Sequence, residues 1–508
     1  MDFKVMQQDF AVPLILLDTF DEKPVDCDFV LPDYCPDIAA VLKCTLRPAV
    51  HSKQWSGDRL IVDGQTEIQV LYLDEKRNCV RSYEATQPFT STFPVNNRCP
   101  NTQVCVSAKT DYVNCRATSP RRLDIHGSFR VKAQVIGDGV RQVLCGVDDE
   151  TVFVQKQPVS CSVPAAWAEK AFTVSETLDL GGGGVTAESL IRSEATPVLT
   201  DCKILVNKLI IKGDLLLKNL YLRDEESGRM ECVYHELPFS QILDVEGLTE
   251  DWQVQADVDV TANDVRITGG EEGGSRLLSV STKLLCTVCC TRTDQAEVLT
   301  DAYAAKCPLR LETTPLRTEQ LLHTYRDTMT VKQTMELPSE EIASVVDVWC
   351  DASPLSQKEE NGRLVVDGQL QVCLLAKDME DIVAYYERSA DFSLDFPQEG
   401  SSTCVSFVVL RVDFSVNSSH QLELRVELLV KRECRDEQNL QIVSAVSGDE
   451  NEMFPPEKAS VKVVFANAGE SLWGIAKSCH TSVDAVMAEN NLQTDILPQA
   501  TMLLVPLC

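Results

Sequence analysis

The sequence predicts a mainly β chain, with three tandem antiparallel β-sandwich or barrel-like modules followed by a small α+β domain of βααβ order. Three observations predict this fold. A strand-like motif occurs three times at domain-length spacing, alternating apolar and polar residues fill much of the chain between the copies, and the last 48 residues show a helical pattern. A period of two is typical of strands with one buried face, and a period near 3.6 is typical of helices.

The repeated motif is a strand that contains a glycine. The form Arg-Leu-Ile-Val-Asp-Gly-Gln occurs at residues 59–65 and, with one substitution, at 363–369, while a looser copy at 208–214 departs at Lys212 and Asp214. The glycine returns after 149 and then 155 residues, a period that is typical of whole domains and too long for a solenoid. A glycine inside a strand indicates a bulge or a close backbone contact. No polar residues converge on it in the sequence, which favours a structural role over a ligand site.

Other features recur at matched positions around each glycine. A Leu-Pro pair begins the first and third copies, at Leu31 and Leu337, and we expect a short helix after each such start. A phenylalanine follows the glycine by 25, 26 and 24 residues in the three copies. Aromatic residues at fixed offsets are typical of core anchors. The three phenylalanines that follow the glycines are Phe89, Phe239 and Phe392.

The repeats predict how the chain is divided. The expected modules are residues 1–165, 166–312 and 313–446, followed by an acidic linker at 447–460 and a C-terminal domain at 461–508. A pair of prolines, several acidic residues and the absence of a period indicate the linker. Alternating segments joined by turns in the second half of each module argue for antiparallel sandwiches or barrels.

The C-terminal segment reads as strand, helix, helix, strand. Ser471 and Ser482 stand where each can cap a helix. Apolar residues at helical spacing follow both serines and predict the faces that are buried. The strand near Val463 is expected to pair with the closing strand that ends at Pro506. The predicted inner positions are Leu472, Ile475 and Ala476 on the first helix, and Val483, Val486 and Met487 on the second.

Charge and hydropathy exclude some classes of partner. The chain has 508 residues, with 47 Lys and Arg against 77 Asp and Glu, and a formal net charge of −30. Such an acidic surface repels phosphate backbones and anionic lipid headgroups, so we expect no nucleic-acid partner. No apolar run is long enough to span a bilayer, so no transmembrane segment is predicted.

The cysteines indicate a reducing compartment. There are 21 of them, an odd number, scattered singly at strand-like positions. The N-terminus lacks the basic and apolar regions of a secretory signal, so we expect a cytosolic protein whose cysteines act as small apolar residues. Cys286, Cys289 and Cys290 resemble half of a zinc site, but no second half follows at ligand spacing. We therefore predict no metal and no cofactor.

The C-terminal domain resembles the LysM family. The matching residues include Gly469 to Trp473, Ile475–Ala476, Asn490, and the closing strand up to Pro506, although Gln499–Ala500 replaces the usual Pro-Gly turn. The resemblance implies binding of N-acetylglucosamine-containing glycans in a groove between two loops. Backbone amides there would bind an acetamido group above an apolar floor. The implied groove residues are Gly469, Glu470, Ser471, Leu472 and Trp473 on one side and Asp495, Ile496 and Leu497 on the other.

The three repeats resemble the SPOCS domain (DUF3794), and the whole plan resembles the SipL-like family of clostridial spore-coat morphogenetic proteins. The resemblance rests on the Leu-Pro start, the glycine motif and the Tyr-Glu sequence that follows it. It implies a coat-assembly scaffold in the mother-cell cytoplasm at the forespore surface, with a SpoIVA-like coat ATPase bound through the LysM domain. Other coat proteins and peptidoglycan are further implied partners.

Three classes of function remain open from the sequence alone. The first is a scaffold whose groove, or whose edge at Trp473, docks a protein. The second is a binder of peptidoglycan or N-acetylglucosamine that links coat to cortex. The third is an enzyme, which we do not predict because no nucleophile elbow, phosphate loop or paired ligand motif occurs, and the six histidines lack partners at diagnostic spacing.

Overall fold

The computed structural model describes residues 3–76, 79–95, 99, 101–180, 187–269, 275–336, 342–418, 421–448, 452–455 and 459–507. Eighteen long strands form three modules of six, and a small α+β domain follows. The predicted fold class is confirmed. The Leu-Pro start of the third repeat, residues 337–341, lies outside the described residues.

The first module contains β1(Val5–Val30), β2(Ile38–Ser56), β3(Arg59–Asp74), β4(Val80–Pro94), β5(Thr102–Ser119) and β6(Arg122–Val147). The second contains β7(Val152–Asp179), β8(Ser189–Leu205), β9(Lys208–Asp224), β10(Arg229–Asp244), β11(Gln253–Gly269) and β12(Ser275–Ala304). The third contains β13(Leu309–Glu336), β14(Ile342–Glu360), β15(Arg363–Asp378), β16(Val383–Pro397), β17(Ser402–Ser418) and β18(Gln421–Gly448).

Each module is a sandwich of two three-stranded antiparallel sheets. In the first module the sheets have the orders β1-β6-β5 and β2-β3-β4, and the other two modules repeat both orders. Alternating residues such as Leu60, Val62, Ile68 and Val70 point between the sheets and are buried. The expected helix after Leu31 is wrong, because residues 33–35 form a turn and β2 begins at Ile38.

The glycine of the repeated motif lies directly across from the repeated phenylalanine. Gly64 pairs with Phe89, and the other two modules repeat this pairing. A Cβ built on Gly64 would lie 2.4 Å from Phe89 Cζ and 2.3 Å from the Ala49 carbonyl oxygen. The ring therefore covers the position where a side chain would stand. The equivalent pairs are Gly213 with Phe239 and Gly368 with Phe392.

The strand beside the glycine contains one extra residue in every module. The register shifts past His51, Thr200 and Leu355, each of which lies 13 residues before its module's glycine. Such a bulge bends the strand and increases its twist. The predicted structural role of the glycine is therefore observed as a close contact next to a bulge.

We expect Gly64→Ala to destabilise the first module. The new Cβ would meet a backbone oxygen as well as the Phe89 ring, so strand β2 or β4 would have to move. Overpacking of this kind costs about 1–3 kcal/mol. Denaturant unfolding of the full chain measures the change. Gly269→Ala is the control because no atom of the described residues lies within 4 Å of its Cβ position, and equal effects of both substitutions would contradict the expectation.

A two-stranded ribbon extends from each sandwich. Strand β5 pairs with β6 only as far as Gly137, and beyond it β6 pairs with β1 alone. The same change occurs at Thr291 of β12 and at Arg435 of β18. The ribbons, defined by their strands, are residues 5–15 with 136–147, 152–164 with 291–304, and 309–321 with 435–448.

The three ribbons pack on one another and form a core between the modules. Phe10 of the first ribbon, Val298 of the second and Ile442 of the third are buried in one cluster. A second cluster nearby also draws on all three ribbons, with Leu144, Leu299 and Val443 among its members. In these two clusters each ribbon covers apolar residues of the others.

A further core joins the three sheets β2-β3-β4, β8-β9-β10 and β14-β15-β16 near an approximate threefold axis. Leu71, Leu220 and Leu375 each lie seven residues after the glycine of their module, and all three are buried in the same cluster. Leu42, Ile191 and Val346 are likewise equivalent and pack against it. Repeat-equivalent residues meet, so the modules are arranged around the axis like three subunits of a cyclic trimer.

The expected division of the chain falls within continuous elements. Residues 165–166 lie inside β7 and residues 312–313 inside β13. Each of these strands begins in a ribbon and ends in a sandwich. Of the expected linker, 447–448 belong to β18, and 449–451 and 456–458 lie outside the described residues. Phe454 donates its amide hydrogen to the Lys306 carbonyl at 2.8 Å.

Buried charges join the second and third modules. Asp347 is 1 % exposed and accepts from Arg192 at 3.2 Å and from Lys218 at 2.5 Å. The Arg192 guanidinium lies 3.8 Å from the centre of the Trp349 ring. Burial lowers the pKa of Arg192 to about 10, although Asp347 opposes the shift, so the guanidinium stays charged at neutral pH.

We expect Asp347→Asn to destabilise the chain by about 3–5 kcal/mol, because it removes the carboxylate that Arg192 and Lys218 share and leaves Arg192 with Glu194 alone. Denaturant unfolding measures the loss. Asp395→Asn is the matched control, because Asp395 pairs with Arg363 on the surface, where both side chains are about half exposed, and such pairs contribute at most about 1 kcal/mol. A loss no larger than that of the control would overturn this account of the interface.

Candidate functional site

The C-terminal domain consists of two strands and two short helices. The elements are β19(Val461–Ala466), α1(Leu472–Ser478), α2(Val483–Asn490) and β20(Thr501–Pro506), and the two strands pair antiparallel. Both predicted caps are confirmed. Ser471 Oγ accepts from the Trp473 amide at 3.2 Å, and Ser482 Oγ accepts from the Ala485 amide at 3.0 Å. These bonds satisfy amides that a helix N-terminus leaves free.

The predicted inner faces of the helices form the core of this domain. Leu472, Ile475, Ala476 and Val486 are buried. Val483 and Met487 are partly buried and pack against the same cluster. Asn490 closes the domain at its far side, because its side chain donates to the Leu504 carbonyl at 2.7 Å and accepts from the Leu504 amide at 2.8 Å.

The two predicted walls of the groove lie side by side and bond to each other. The Gly469 amide donates to the Leu497 carbonyl at 2.7 Å, and the Leu497 amide donates to the Glu470 carbonyl at 3.1 Å. The Leu472 amide donates to the Asp495 carbonyl at 2.8 Å. Between these bonds, Ser471 and Ile496 form an isolated antiparallel β-bridge. Three amides expected to be open to a ligand are therefore used to hold the walls together.

The side chains at the walls differ in exposure. Leu472 and Leu497 are buried beneath the bridge, whereas Ile496 is 57 % exposed. Glu470 and Asp495 are exposed, and Glu470 accepts from the Asn467 amide at 2.9 Å. The arrangement presents one apolar side chain and two carboxylates at its rim, which can contact either a sugar ring or a protein.

Trp473 lies apart from the walls and contacts the second module. Its indole nitrogen donates to Asp301 Oδ2 at 2.8 Å, and its ring packs edge-on against Tyr303 with 4.9 Å between ring centres. Lys477 of the same helix also donates to Asp301, at 2.6 and 2.7 Å. The Tyr303 hydroxyl donates to the Thr481 carbonyl at 2.6 Å. The domain is thus anchored on strand β12.

The carboxylate at this anchor is held in its charged form. Burial raises the pKa of Asp301, but the hydrogen bonds from Lys477 and Trp473 and the charge of Lys477 outweigh burial and lower the pKa below its ordinary value. Sequence reasoning missed Asp301 and Tyr303, because they stand in a strand pattern 170 or more residues before Trp473. No local signal marks such a long-range partner.

The outer face of the two-stranded sheet is apolar and exposed. Side chains of β19 and β20 alternate, and one set faces the helices while the other faces outward. Val463 is opposite Leu504, and Phe465 is opposite Met502, in the antiparallel register. Exposed fractions run from 43 % to 69 %, and none of these residues is charged. The outer face is defined as Val461, Val463, Phe465, Met502 and Leu504.

Comparison with protein families agrees with this architecture. Residues 37–118 and 186–268 match the SPOCS domain of SipL, and residues 467–506 match the LysM domain. The chain therefore combines repeated β-sandwich modules with a small binding domain. It carries two matched SPOCS domains of the SipL type and a C-terminal LysM domain, which confirms the resemblance to SipL-like proteins. The matched SPOCS segments lie in the first two of the three predicted repeats. Neither the curated proteins nor the solved structures gave a match.

These matches support a sporulation-related protein whose LysM domain is of the peptidoglycan-binding kind. SPOCS and LysM domains are binding or scaffold domains and not catalytic ones. The matched segments span β2–β5 and β8–β11. The third module repeats the same strand orders. Among the described residues, no helix is long and apolar enough to cross a membrane.

We expect Asp301→Ala to loosen the LysM domain from the second module. The substitution removes the acceptor of the Trp473 indole and of the Lys477 ammonium, and it should cost about 1–2 kcal/mol at this partly exposed site. Hydrogen exchange of α1 amides and Trp473 fluorescence measure the change. Glu297→Ala, an exposed acid on the same strand, is the matched control. Unchanged exchange in α1 would contradict this anchoring role.

Acid should have the same effect as the substitution. Because the pKa of Asp301 is lower in the folded chain, its contribution is present above the ordinary carboxyl pKa and is lost as pH falls through the lowered value. Trp473 fluorescence should therefore change in wild type below about pH 4. In the Asp301→Ala variant the same acid step should be absent.

Proposed function

We propose that this chain is a non-enzymatic spore-coat scaffold that binds a SpoIVA-type basement-layer ATPase through its LysM domain. Its place is then the mother-cell cytoplasm at the forespore surface, where it localises coat around the forespore. Other coat proteins are further candidate partners of the three modules. The proposal rests on the two matched domain types and on the outer face of the LysM sheet.

The observation that carries the proposal is the exposed, uncharged outer face of β19 and β20. The chain has a net charge of −30, yet Val463, Phe465 and Met502 are each more than half exposed on one small sheet. Contiguous apolar side chains on a soluble surface are typical of protein-binding sites. Their size and aromatic member also fit the apolar centre of an interface.

The anchoring of the LysM domain supports docking of this face. Trp473 and Lys477 hold helix α1 on strand β12, whereas the outer face belongs to the opposite layer of the domain. A surface held by a rigid body loses less freedom when a partner binds. The three modules then act as a support that fixes the orientation of the docking face.

Val463→Glu should weaken binding of a purified SpoIVA-type ATPase by about thirtyfold or more, because a charge would enter an apolar contact at a cost of roughly 2 kcal/mol. Surface plasmon resonance on the full chain measures this loss. Val416→Glu is the matched control, since Val416 is an exposed valine on β17 of the third module.

Either of two results would contradict the proposal. The first is that the Val463→Glu variant binds the ATPase as tightly as the wild-type chain does. The other is no loss of partner binding when residues 461–508 are deleted.

Binding of peptidoglycan or an N-acetylglucosamine glycan is the second candidate function, and it is favoured by exposed Ile496 at the rim of the two walls. This function would link coat to cortex through the groove of Gly469 to Leu472 and Asp495 to Leu497. Titration with chitin oligomers tests it. Loss of oligomer binding in Ile496→Glu, with retention in Val463→Glu, would assign glycan to the groove, and no chemical-shift change at millimolar oligomer would reject it.

A further inference from the structure

We propose that Cys105 and Cys289 are a redox-sensitive pair that closes a disulfide between the first and second modules. Cys105 lies on β5 and Cys289 on β12. Both thiols are reduced in the structure. The proposal does not depend on the partner of the LysM domain.

The pair lines a cavity at the junction of the three modules. The cavity has a volume of about 500 Å³, and its walls come from all three modules. Ile136, Gln255 and Glu319 represent the first, second and third modules there. Cys105 is exposed, so a small reagent that enters the cavity can reach its sulfur.

Neighbouring contacts hold the two strands together at this point. The Gln103 side chain, two residues before Cys105 on the same side of β5, donates to the Cys290 carbonyl at 2.7 Å. Cys105 and Cys289 line the same cavity, and each thiol shifts the pKa of the other through a hydrogen bond between them. The two sulfurs are therefore already neighbours across the module boundary.

The surroundings make Cys105 the thiolate of the pair. The hydrogen bond from Cys289 and the charge of Lys53 lower the pKa of Cys105 to about 7, against partial desolvation by the surrounding cavity walls and the opposing charges of Asp257 and Glu433. The same hydrogen bond and burial raise the pKa of Cys289. The thiolate fraction of Cys105 at pH 7 is about fifteen times that of a thiol with the ordinary pKa of about 8.5.

The reaction balances with a low-molecular-weight disulfide as oxidant. The Cys105 thiolate attacks one sulfur of the reagent, forms a mixed disulfide and expels one thiolate, which takes up a proton. Cys289 then gives up its proton and attacks the Cys105 sulfur, which forms the protein disulfide and expels the second thiolate. Two protein thiols are oxidised and one reagent disulfide is reduced to two thiols.

Closure would join strands that are 184 residues apart in the chain. A crosslink over a loop of this length restricts the unfolded chain strongly. It would also fix the first module against the second at the cavity. Oxidation would thus convert a non-covalent assembly of modules into a partly covalent one.

Other cysteines are placed differently. Cys286 and Cys290 are buried in the core of the second module. Cys44 and Cys115 also share a thiol hydrogen bond, but both belong to the first module, so a bond between them would not join modules. Cys404 is exposed on β17 of the third module and serves as a reference surface thiol.

The test treats the full native chain with oxidised glutathione at pH 7 and maps its peptides under non-reducing conditions. We expect one linked peptide that contains Cys105 and Cys289, and a rise of about 5 °C in the thermal midpoint that phosphine reductant reverses. Cys404→Ser should form the same link at the same rate. Cys105→Ser and Cys289→Ser should form no link and show no rise.

A mixed glutathione disulfide on Cys105 that persists without a link to Cys289 would overturn the proposal, as would modification of Cys404 while Cys105 stays free. The wild-type chain provides a measurement that does not depend on variants folding. The rate of Cys105 modification should reach half its maximum near pH 7. A half-maximum near pH 9 would also overturn the proposal.

Discussion

The packing of the three ribbons is the interaction on which the rest of the structure depends. Each sandwich has its own core, but the ribbons extend beyond the sandwiches. In the described part of the chain they are covered by one another and, for the second ribbon, also by the LysM domain. Phe10, Val298 and Ile442 are buried only because the three ribbons meet. Burying each such side chain contributes about 1.5–3 kcal/mol. The ribbon of the second module also carries Asp301 and Tyr303, so the position of the LysM domain follows from the same packing.

The approximate threefold axis explains which contacts are repeated and which differ. Apolar residues can meet their own equivalents, and Leu71, Leu220 and Leu375 do so. Identically charged residues cannot meet their equivalents in this way, because three equal charges close to the axis would repel one another. The equivalent positions 21 residues before each glycine hold Lys43, Arg192 and Asp347, and Arg192 pairs with Asp347. Joining the modules in one chain lets the repeats differ and so permits this buried pair.

Local features of the fold could be predicted from the sequence, and long-range ones could not. The glycine motif and the phenylalanines near offset 25 predicted the strand and its core anchor, since both act on adjacent strands. The serine caps of the LysM helices were predicted for the same reason. The ribbons were missed because alternation has the same appearance whether a strand packs within its own module or against another. The contact between Asp301 and Trp473 joins residues 172 positions apart, and neither residue carries a pattern that points to the other.

The position of Trp473 changes how the LysM domain is best understood. The sequence predicted this residue as one member of the binding groove or as a docking edge, whereas the structure places its indole against Asp301 and Tyr303. A tryptophan used in this way fixes the domain to the body, and the surfaces that remain exposed are the candidates for recognition. Ile496 at the groove and Phe465 on the outer face are both exposed by more than half. Because they belong to separate parts of the domain, the two proposed ligands can be tested separately, and substitution at one surface leaves the other unchanged.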